Sequence, residues 1–416
     1  MAHRIVVLGG GTGGTLMANR LRRYYSRTEA EITVVDRDDA HVYQPGLLFV
    51  PFGLAHAEDI VRSRQRQLRQ GVGFHQSDVD HVGLDDQRVT LTDGTVLPYD
   101  ALIVASGARL QPEETEGMTG DGWLENVFTF YDVEGAMGLH SALERFDGGR
   151  LVVNFVDLPI KCPVAPLEFA FLADWYLHER GVRDKVELTF VTPLDGAFTK
   201  PVASEHLRSL LDEKHIELVT EFNTGEVDAT GGRLVSYDER EVPFDLLVTV
   251  PLHAGQEYVG RSEGLGGDLD FVPTSPATLQ SLARPNVFAL GDATNVPISK
   301  AGSVTHFEGE VLTGNVRRFL AGEDLDATYD GHANCFIETG FSKALLIDFN
   351  YETEPLPGRF PTGAGPLPLL QESRLNHLGK LMFQWMYWHM LLPGRDIPGI
   401  GPTMQMAGKQ RVDEPA

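Results

Sequence analysis

The chain has 416 residues, of which 42% are hydrophobic, and a formal net charge of −24. It is too long for one hydrophobic core, so two or three domains are expected. The acidic balance argues against nucleic acid as a partner, and two cysteines are too few for a disulfide framework, so they are either inert core residues or a working pair.

The N-terminal segment has the pattern of a dinucleotide-binding βαβ unit. An apolar strand at residues 4–8 runs into G-x-G-x-x-G, a helix follows, and the next strand, residues 32–36, ends in a carboxylate. Asp36 lies 22 residues past the last glycine, the separation at which an acid meets a ribose hydroxyl. The pyrophosphate would rest on the helix N-terminus, whose free N–H groups and dipole favour negative charge. The residues predicted to bind it and the ribose are Gly9, Gly11, Gly14 and Asp36.

Two later segments indicate which dinucleotide binds. Residues 99–108 resemble the strand-and-turn signature of two-dinucleotide-fold flavoproteins, with Ser106 and Gly107 in the turn. Residues 286–293 resemble their late motif, in which an aspartate, here Asp292 after Gly291, binds the ribityl chain of the flavin. A strand that ends at an N-capping aspartate would give the same local pattern. The order and spacing of the three motifs favour FAD.

A second βαβ unit lacks the glycines that a pyrophosphate needs. A strand at residues 150–157 is followed by a helical pattern at residues 167–176, but the turn between them, residues 158–166, contains no glycine and carries Cys162. Glycines at this turn let a phosphate approach the backbone closely. The next strand, residues 185–191, does not end in an acid that could hold a ribose. The sequence therefore predicts sulfur chemistry at this turn in place of nucleotide binding.

Three motifs resemble those of known families. Residues 41–47, with Gln44 and Pro45, resemble the loop that follows the ribose acid in sulfide:quinone oxidoreductases and type II NADH dehydrogenases. Residues 161–168 resemble the central cysteine motif of sulfide:quinone oxidoreductases and flavocytochrome c sulfide dehydrogenases, and residues 335–351 resemble their second cysteine segment. Over essentially its whole length the chain resembles the sulfide:quinone oxidoreductase family, a branch of the disulfide oxidoreductase superfamily.

The resemblance implies that Cys162 and Cys335, 173 residues apart, form a redox pair. Hydrosulfide would attack one sulfur of the joined pair by thiol–disulfide exchange. Cys162 would face the flavin and pass two electrons to FAD, while Cys335 would carry the growing polysulfur chain. From the residues themselves, a nearby helix N-terminus and the neighbouring Lys161 are expected to lower the pKa of Cys162. The alternative is a pair of unrelated buried cysteines.

Other side chains are candidates for proton or charge chemistry. Glu168 would manage protons at the sulfur site, or it is a first-turn carboxylate stabilised by the helix dipole. Lys300, before a helix expected at about residues 306–320, would bind the cofactor and stabilise anionic reduced flavin or a quinol oxyanion. Its alternative is a solvated loop lysine. Lys380 matches a lysine of the family's C-terminal segment and has no assigned role.

One departure from the family concerns a third cysteine. Many members carry it upstream of the central motif, and residues 123–149 contain none. A two-cysteine cycle and a non-covalently bound FAD are therefore expected.

The C-terminal segment, residues 378–392, is dense in Trp, Tyr, Met and Leu and has few charges. It is too short to span a bilayer but suits a monotopic helix lying in the interface, with Trp385 and Trp388 at the headgroup boundary. A helix buried against the flavin lobe or in a dimer contact is the competing interpretation, and a homo-oligomer stays open. Basic residues that would assist attachment are Arg374, Lys380, Arg395, Lys409 and Arg411.

The predicted fold is α/β, with two Rossmann-like βαβ domains plus a C-terminal membrane-facing helical cap. The FAD-binding domain is discontinuous and comprises residues 1–108 and 281–330. The second domain, residues 109–280, carries Cys162, and the cap, residues 331–416, carries Cys335.

The predicted function is oxidation of hydrosulfide through the cysteine pair and FAD, with reduction of a membrane quinone by a peripheral, monotopic enzyme. A type II NADH dehydrogenase is the first rival, and it requires the glycine-rich second loop and second acid that the chain lacks. The flavin subunit of a flavocytochrome c sulfide dehydrogenase is the second. That subunit is exported, and no secretory signal is seen here. A non-catalytic flavoprotein or sulfur carrier is the third.

Overall fold

The computed structural model describes residues 2–326, 328–397 and 399–410. The helices of these residues are α1 (Thr12–Tyr24), α2 (Ala57–Ile60), α3 (Val133–Arg145), α4 (Ala165–Glu179), α5 (Pro201–Glu213), α6 (Glu257–Arg261), α7 (Gly302–Ala321) and α8 (Arg374–Met386). A π-helical turn, Tyr387–Leu391, continues α8.

The strands of the first half are β1 (His3–Leu8), β2 (Ala30–Asp36), β3 (Ala40–Val42), β4 (Val61–Ser63), β5 (Gly73–Gln76), β6 (Val79–Gly83), β7 (Arg88–Leu91), β8 (Val96–Pro98), β9 (Ala101–Val104), β10 (Arg109–Gln111), β11 (Val127–Phe128), β12 (Gly149–Phe155) and β13 (Val186–Val191). The later strands are β14 (Glu217–Val219), β15 (Thr224–Asp228), β16 (Arg233–Ser236), β17 (Glu241–Pro243), β18 (Leu246–Val250), β19 (Leu252–Ala254), β20 (Val287–Ala289), β21 (Ala333–Gly340), β22 (Lys343–Phe349), β23 (Gly358–Phe360) and β24 (Leu367–Leu369).

The first sheet is parallel, with the strand order β20-β9-β1-β2-β5. Its central strands are almost continuously apolar because both faces are covered. Helices α1 and α7 pack on one face, around Ile5, Val7 and Val34. The antiparallel sheet β6-β7-β8 and helix α6 cover the other face. The predicted strands of this sheet are confirmed, and the helix expected at about residues 306–320 is observed as α7, which begins earlier, at Gly302, and is continuous to Ala321.

The second sheet is also parallel, with the order β11-β18-β12-β13-β14. Strands β10 and β19 pair antiparallel. Strand β10 follows β9 of the first sheet and β19 follows β18 of the second, so this pair connects the two sheets. Tyr258, Val259, Leu265 and Val272 pack against the first sheet. The predicted domain limits at residues 108 and 280 stay a prediction, but the second sheet itself ends at Val250.

The C-terminal segment forms two β-hairpins and a helix. Strands β21 and β22 pair antiparallel, as do β23 and β24, and α8 packs on the first hairpin. Helix α8 begins at Arg374 because Ser373 caps it, its side chain accepting a hydrogen bond from the Asn376 N–H group. Among the described helices, none is long and apolar enough to cross a membrane.

Candidate functional site

The turn after β1 is shaped for a pyrophosphate. A Cβ at Gly14 would lie 1.7 Å from the Gly9 carbonyl oxygen, so α1 can pack this closely on β1 only with glycine there. A Cβ at Gly11 would meet no atom within 4 Å, and the N-terminus of α1 has no side-chain cap. These two features leave open space in front of free N–H groups, which suits a bound anion.

Asp36 ends β2 beside this turn, as predicted. Its Oδ2 accepts a hydrogen bond from the Gly10 N–H group at 2.6 Å and lies 2.9 Å from Nη1 of Arg64. Burial raises the pKa of this carboxyl, and the Arg64 charge opposes that rise. The carboxylate is thereby held at the edge of the pyrophosphate turn, where a ribose would lie.

The two later predicted FAD motifs follow the ends of β9 and β20, and the second is tied to Lys300, two residues before α7. A Cβ at Gly107 or at Gly302 would meet nothing within 4 Å, and α7 also begins without a side-chain cap. Ser106 accepts a hydrogen bond from the Tyr258 hydroxyl at 2.9 Å. Burial raises the pKa of Asp292, and the charges of two lysines oppose this. Two uncapped helix N-termini with open glycine cradles fit an extended dinucleotide such as FAD.

Lys300 is buried next to this cradle. Its Nζ donates to the carbonyl oxygens of Asp292 at 3.1 Å and Thr294 at 2.7 Å, and it lies 4.3 Å from the centre of the Phe271 ring. Burial lowers the pKa of this lysine. The alternative of a solvated loop lysine is therefore wrong. Gly291 is also fixed here, because its N–H group donates to the Glu308 carboxylate at 2.6 Å.

The turn that carries Cys162 reaches the start of α7. The Cys162 N–H group donates to the Lys300 carbonyl oxygen at 2.6 Å, and its own carbonyl accepts from the Ala165 N–H group at 2.8 Å. Its φ is +47°, in the left-handed region that a residue with a Cβ seldom adopts. The thiol thus lies one turn before α4 and beside the predicted flavin site.

The second cysteine segment reaches the same place. Cys335 lies on β21, and the carbonyl oxygen of the preceding Asn334 accepts a hydrogen bond from Ser303 Oγ, in the first turn of α7, at 2.6 Å. Both thiols are free, and they are close enough for the charge of Cys162 to raise the pKa of Cys335. The fold therefore brings together the two cysteines that the sequence separates by 173 residues.

A buried ion pair accompanies the two thiols. The Glu168 carboxylate, in the first turn of α4, pairs with the Lys380 ammonium of α8. Lys380 also donates to the Phe336 carbonyl oxygen at 3.1 Å, and the Glu338 N–H group donates to Glu168 at 2.7 Å. Burial raises the pKa of Glu168, and Lys380 opposes that rise. The carboxylate is thus tied to both cysteine segments and is more than a dipole-stabilised helix-end residue.

The expected lowering of the Cys162 pKa is wrong. Burial raises the pKa of this thiol to about 12, the Glu168 charge adds to the rise, and Lys380 opposes it. Lys161 points elsewhere, since its Nζ lies 3.4 Å from both Gln44 Oε1 and the Tyr131 carbonyl oxygen. Desolvation outweighs the nearby helix end because the partly buried Cys162 side chain packs against the large hydrophobic core around α4. Gln44 begins the short 3₁₀ helix Gln44–Leu48, and Pro45 is its second residue.

The C-terminal helix has one exposed apolar face and one buried end. The exposed side chains, here called the apolar stripe, are Leu375, Leu378, Leu381, Met382 and Trp385. Tyr387 and Trp388 are buried instead, at 1% and 4% exposure, against Tyr43 and His41. The prediction for Trp388 at a headgroup boundary is therefore wrong, whereas Trp385 is available for one.

The basic set predicted to assist attachment is only partly available. Lys380 pairs with Glu168, and Lys409 lies 2.6 Å from Asp348 with both side chains buried. Neither can face lipid headgroups. Arg374 and Arg395 are exposed, and Arg411 lies outside the described residues.

Sequence reasoning missed several residues that the structure places at the site. Tyr387 Oη lies 2.7 Å from both Thr12 Oγ1 and His41 Nε2. Glu338 and Glu308 are buried carboxylates. Each of these glutamates is a charged residue on an otherwise apolar strand or helix face. It interrupts the hydrophobic pattern, and that interruption could have pointed to a buried carboxylate.

The chain is similar to known proteins both in sequence and in fold. Residues 3–153 match the family model described as pyridine nucleotide-disulphide oxidoreductase. Over 94% of its length the chain is 27% identical to the mitochondrial sulfide:quinone oxidoreductase of Mus musculus and 26% identical to that of Dictyostelium discoideum, covering 87% and 86% of those proteins.

The fold is similar to that of the sulfide:quinone oxidoreductase from the hyperthermophilic bacterium Aquifex aeolicus, with a TM-score of 0.80 and 20% identity. The match covers 95% of this chain and 92% of that one. The class is therefore that of flavoproteins with the disulfide oxidoreductase fold. Within this class, the predicted resemblance to the sulfide:quinone oxidoreductase family is confirmed.

Proposed function

We propose that this chain oxidises hydrosulfide through Cys162 and Cys335 and passes the electrons through FAD to a membrane quinone. The observation that carries the proposal is the attachment of both cysteine segments to the start of α7. One is held by the Lys300 carbonyl and the other by the Ser303 hydroxyl. A pair of unrelated buried cysteines would not require this convergence.

The cysteine pair supplies the sulfur chemistry. In the oxidised pair, joined by a disulfide or by bridging sulfur, hydrosulfide forms a new S–S bond to one sulfur and the existing S–S bond breaks. The attacked sulfur, assigned to Cys335, keeps the added sulfur. Cys162 leaves as a thiolate. As its electron pair passes to the flavin, the deprotonated terminal sulfur of the Cys335 persulfide bonds to the Cys162 sulfur, which restores the bridge with one more sulfur atom. The Lys380 charge favours that thiolate and opposes the effect of burial, which still leaves the Cys162 pKa at about 12.

FAD, when bound, accepts this electron pair and delivers it to the quinone. The residues that hold and orient FAD at its adenosine and pyrophosphate end are Gly9, Gly11, Gly14 and Asp36. Gly107, Asp292 and Lys300 lie nearer the reacting end. The buried ammonium of Lys300 places positive charge where a reduced flavin or a developing quinol would carry negative charge.

The type II NADH dehydrogenase alternative has weaker support. The turn before α4 bears side chains and prolines where NADH would need bare N–H groups, and its cysteine backbone is committed to the Lys300 carbonyl. Strand β13 ends at Val191 and is followed by Thr192, which offers no carboxylate to a ribose.

We further propose that the protein attaches to a membrane surface through the apolar stripe of α8. Five large apolar side chains on one helix face are exposed together, which is unusual for a surface that only water contacts. Such a helix lies in the interface without crossing the bilayer, and a net charge of −24 makes apolar insertion more important than attraction to anionic lipid.

The experiment is an anaerobic titration followed by the visible flavin spectrum. Sulfide should bleach the flavin, a soluble quinone analogue should restore it, and NADH should do nothing at millimolar concentration. Bleaching by NADH without bleaching by sulfide would overturn the proposal in favour of the dehydrogenase. If sulfide bleaches the flavin and cytochrome c but not quinone reoxidises it, the result would favour the flavin subunit of a flavocytochrome c sulfide dehydrogenase. If neither acceptor reoxidises the flavin, the result would favour a non-catalytic flavoprotein or sulfur carrier.

A further inference from the structure

The proposed function leaves one buried ionisable pair unused. The Glu338 carboxylate lies on β21, three residues after Cys335, and its side chain is 1% exposed. His377, in the first turn of α8, places Nδ1 3.0 Å from both carboxylate oxygens of Glu338. The His377 side chain is 22% exposed. This pair therefore connects a position next to the second cysteine with the solvent.

The same pair is linked inward to the thiols. Lys380 lies one helical turn after His377, and its charge acts on both Glu168 and Glu338. Glu168 accepts the Glu338 N–H group at 2.7 Å and forms the ion pair with Lys380. The ionisable groups that face Glu338 are thus His377 and Lys380 from α8 and Glu168 from α4. These groups extend from the ion pair whose charges act on both thiols to the partly exposed His377 ring.

The sulfur chemistry needs such a route. Each hydrosulfide brings one proton into the site as its S–H group, and after the attack this proton is on the terminal sulfur of the persulfide. The terminal sulfur can bridge back to the other cysteine only when the proton has left it. Both electrons removed from sulfur go to the flavin, which takes up one proton in its two-electron reduction. The step balances when the persulfide proton leaves to solvent and one proton reaches the flavin from solvent. Both cysteines are only partly exposed and pack against the hydrophobic core, so nearby ionisable groups would help the persulfide proton to reach solvent.

We propose that Glu338 and His377 form the proton route between the buried sulfur site and solvent, receiving the persulfide proton through the Glu168–Lys380 pair. This inference rests on the proposed function. Glu338 and His377 touch neither sulfur nor cofactor, so they act as relay residues. The carboxylate passes the proton on, and the imidazole exchanges it with water.

The test is stopped-flow reduction of the flavin by sulfide in the FAD-bound His377→Ala variant. The rate should fall by about tenfold or more, and added imidazole should restore most of it, because the small base can occupy the space of the missing ring. Glu338→Gln should be slowed as well, but imidazole should not rescue it. A lost structural contact would not respond to a soluble base in this way.

The matched control is His75→Ala. His75 also pairs with a carboxylate, Asp93 at 2.8 Å, but on the edge strand β5 of the first sheet. Sulfide should reduce the flavin of the His75→Ala variant at the wild-type rate, with or without imidazole. An unchanged rate in His377→Ala would overturn the relay, and a slowed rate that imidazole fails to restore would do so too. If sulfide does not bleach the wild-type flavin, the proposed function itself fails, so the two failures are distinguishable.

Discussion

The hydroxyl of Tyr387 lies 2.7 Å from the Thr12 hydroxyl, across 375 residues of sequence. Thr12 is the first residue of α1 and follows Gly11 in the pyrophosphate turn, whereas Tyr387 begins the π-helical turn after α8. His41 completes the contact, with Nε2 2.7 Å from the same tyrosine oxygen and Nδ1 3.1 Å from the Gly10 carbonyl oxygen. The end of the C-terminal helix is thereby part of the wall of the cofactor turn.

Replacing Tyr387 with Phe should weaken FAD binding. The change leaves the buried His41 ring and the partly buried Thr12 hydroxyl without their shared partner, at a cost of about 1–3 kcal/mol. The affinity for FAD should therefore fall by roughly tenfold. FAD release during dialysis, followed by flavin fluorescence, measures this. Tyr237→Phe, at a fully exposed tyrosine, should bind FAD like wild type. Equal retention in both variants would show that the contact does not support the turn.

Serine at Cys162 or at Cys335 should each abolish sulfide-driven quinone reduction, by roughly 10³-fold or more, while FAD stays bound. The two residues act as one redox unit, so the double variant should be little slower than either single variant. Steady-state quinone reduction and the flavin absorbance of the purified proteins provide the two readouts. A single variant that keeps most of its turnover would contradict the paired mechanism.

Glu308→Gln should change how stability depends on pH. Burial raises the pKa of Glu308 to about 7 from its ordinary 4.5, so the folded state favours the protonated form. The stability that this group contributes is fully present below pH 4.5 and is lost as pH rises through 7. Glutamine resembles the protonated form and should be the more stable variant at pH 8, by about 3 kcal/mol.

At pH 4.5 the Glu308→Gln variant and the wild type should unfold alike. Thermal unfolding at the two pH values makes the comparison. Glu113→Gln, at an exposed position, serves as the control and should show no pH-dependent difference. A stabilisation of Glu308→Gln that is the same at both pH values would show that ionisation is not its cause.

Charges in the apolar stripe should release the protein from membranes. A Leu378→Glu/Trp385→Glu variant should fail to float with liposomes, whereas the wild type should float even in molar salt, because apolar insertion is not screened. Deleting the chain from about residue 372 is the less informative change, since it also removes Tyr387 and Trp388 from the cofactor wall.

In the same flotation assay, Leu282→Glu replaces an exposed leucine elsewhere and should float normally. Flavin reduction by sulfide should survive in the stripe variant, because the thiols lie on the buried side of α8. Wild-type protein that never floats, at any salt concentration, would contradict the membrane proposal.

The parts of the fold governed by local rules could be predicted from the sequence. Gly14 is required by the close packing of α1 on β1, and that requirement is visible as a motif. The parallel pairing of β1 with β2 follows from the same βαβ pattern. The two cysteine segments could be recognised because the residues before and after each cysteine form a distinctive sequence motif.

Burial and long-range charge could not be predicted in this way. Trp385 and Trp388 are three residues apart and chemically identical, yet one is exposed and the other packs against the flavin lobe. Lys380 appeared as a surface cation, but Glu168, 212 residues away, holds it in the core. The sign of the Cys162 pKa change depends on that burial, so a rule based on adjacent residues gave the wrong direction.

The strand order of the first sheet also affects how the protein is made. Strand β9, four fully buried apolar residues, pairs on one side with β1 and on the other with β20, which begins 183 residues later. A ribosome needs roughly 10–40 s to add that length, and during this time β9 is an unpaired hydrophobic edge, a template for aggregation. A fragment of the chain that ends before β20 should therefore aggregate more readily than the full chain.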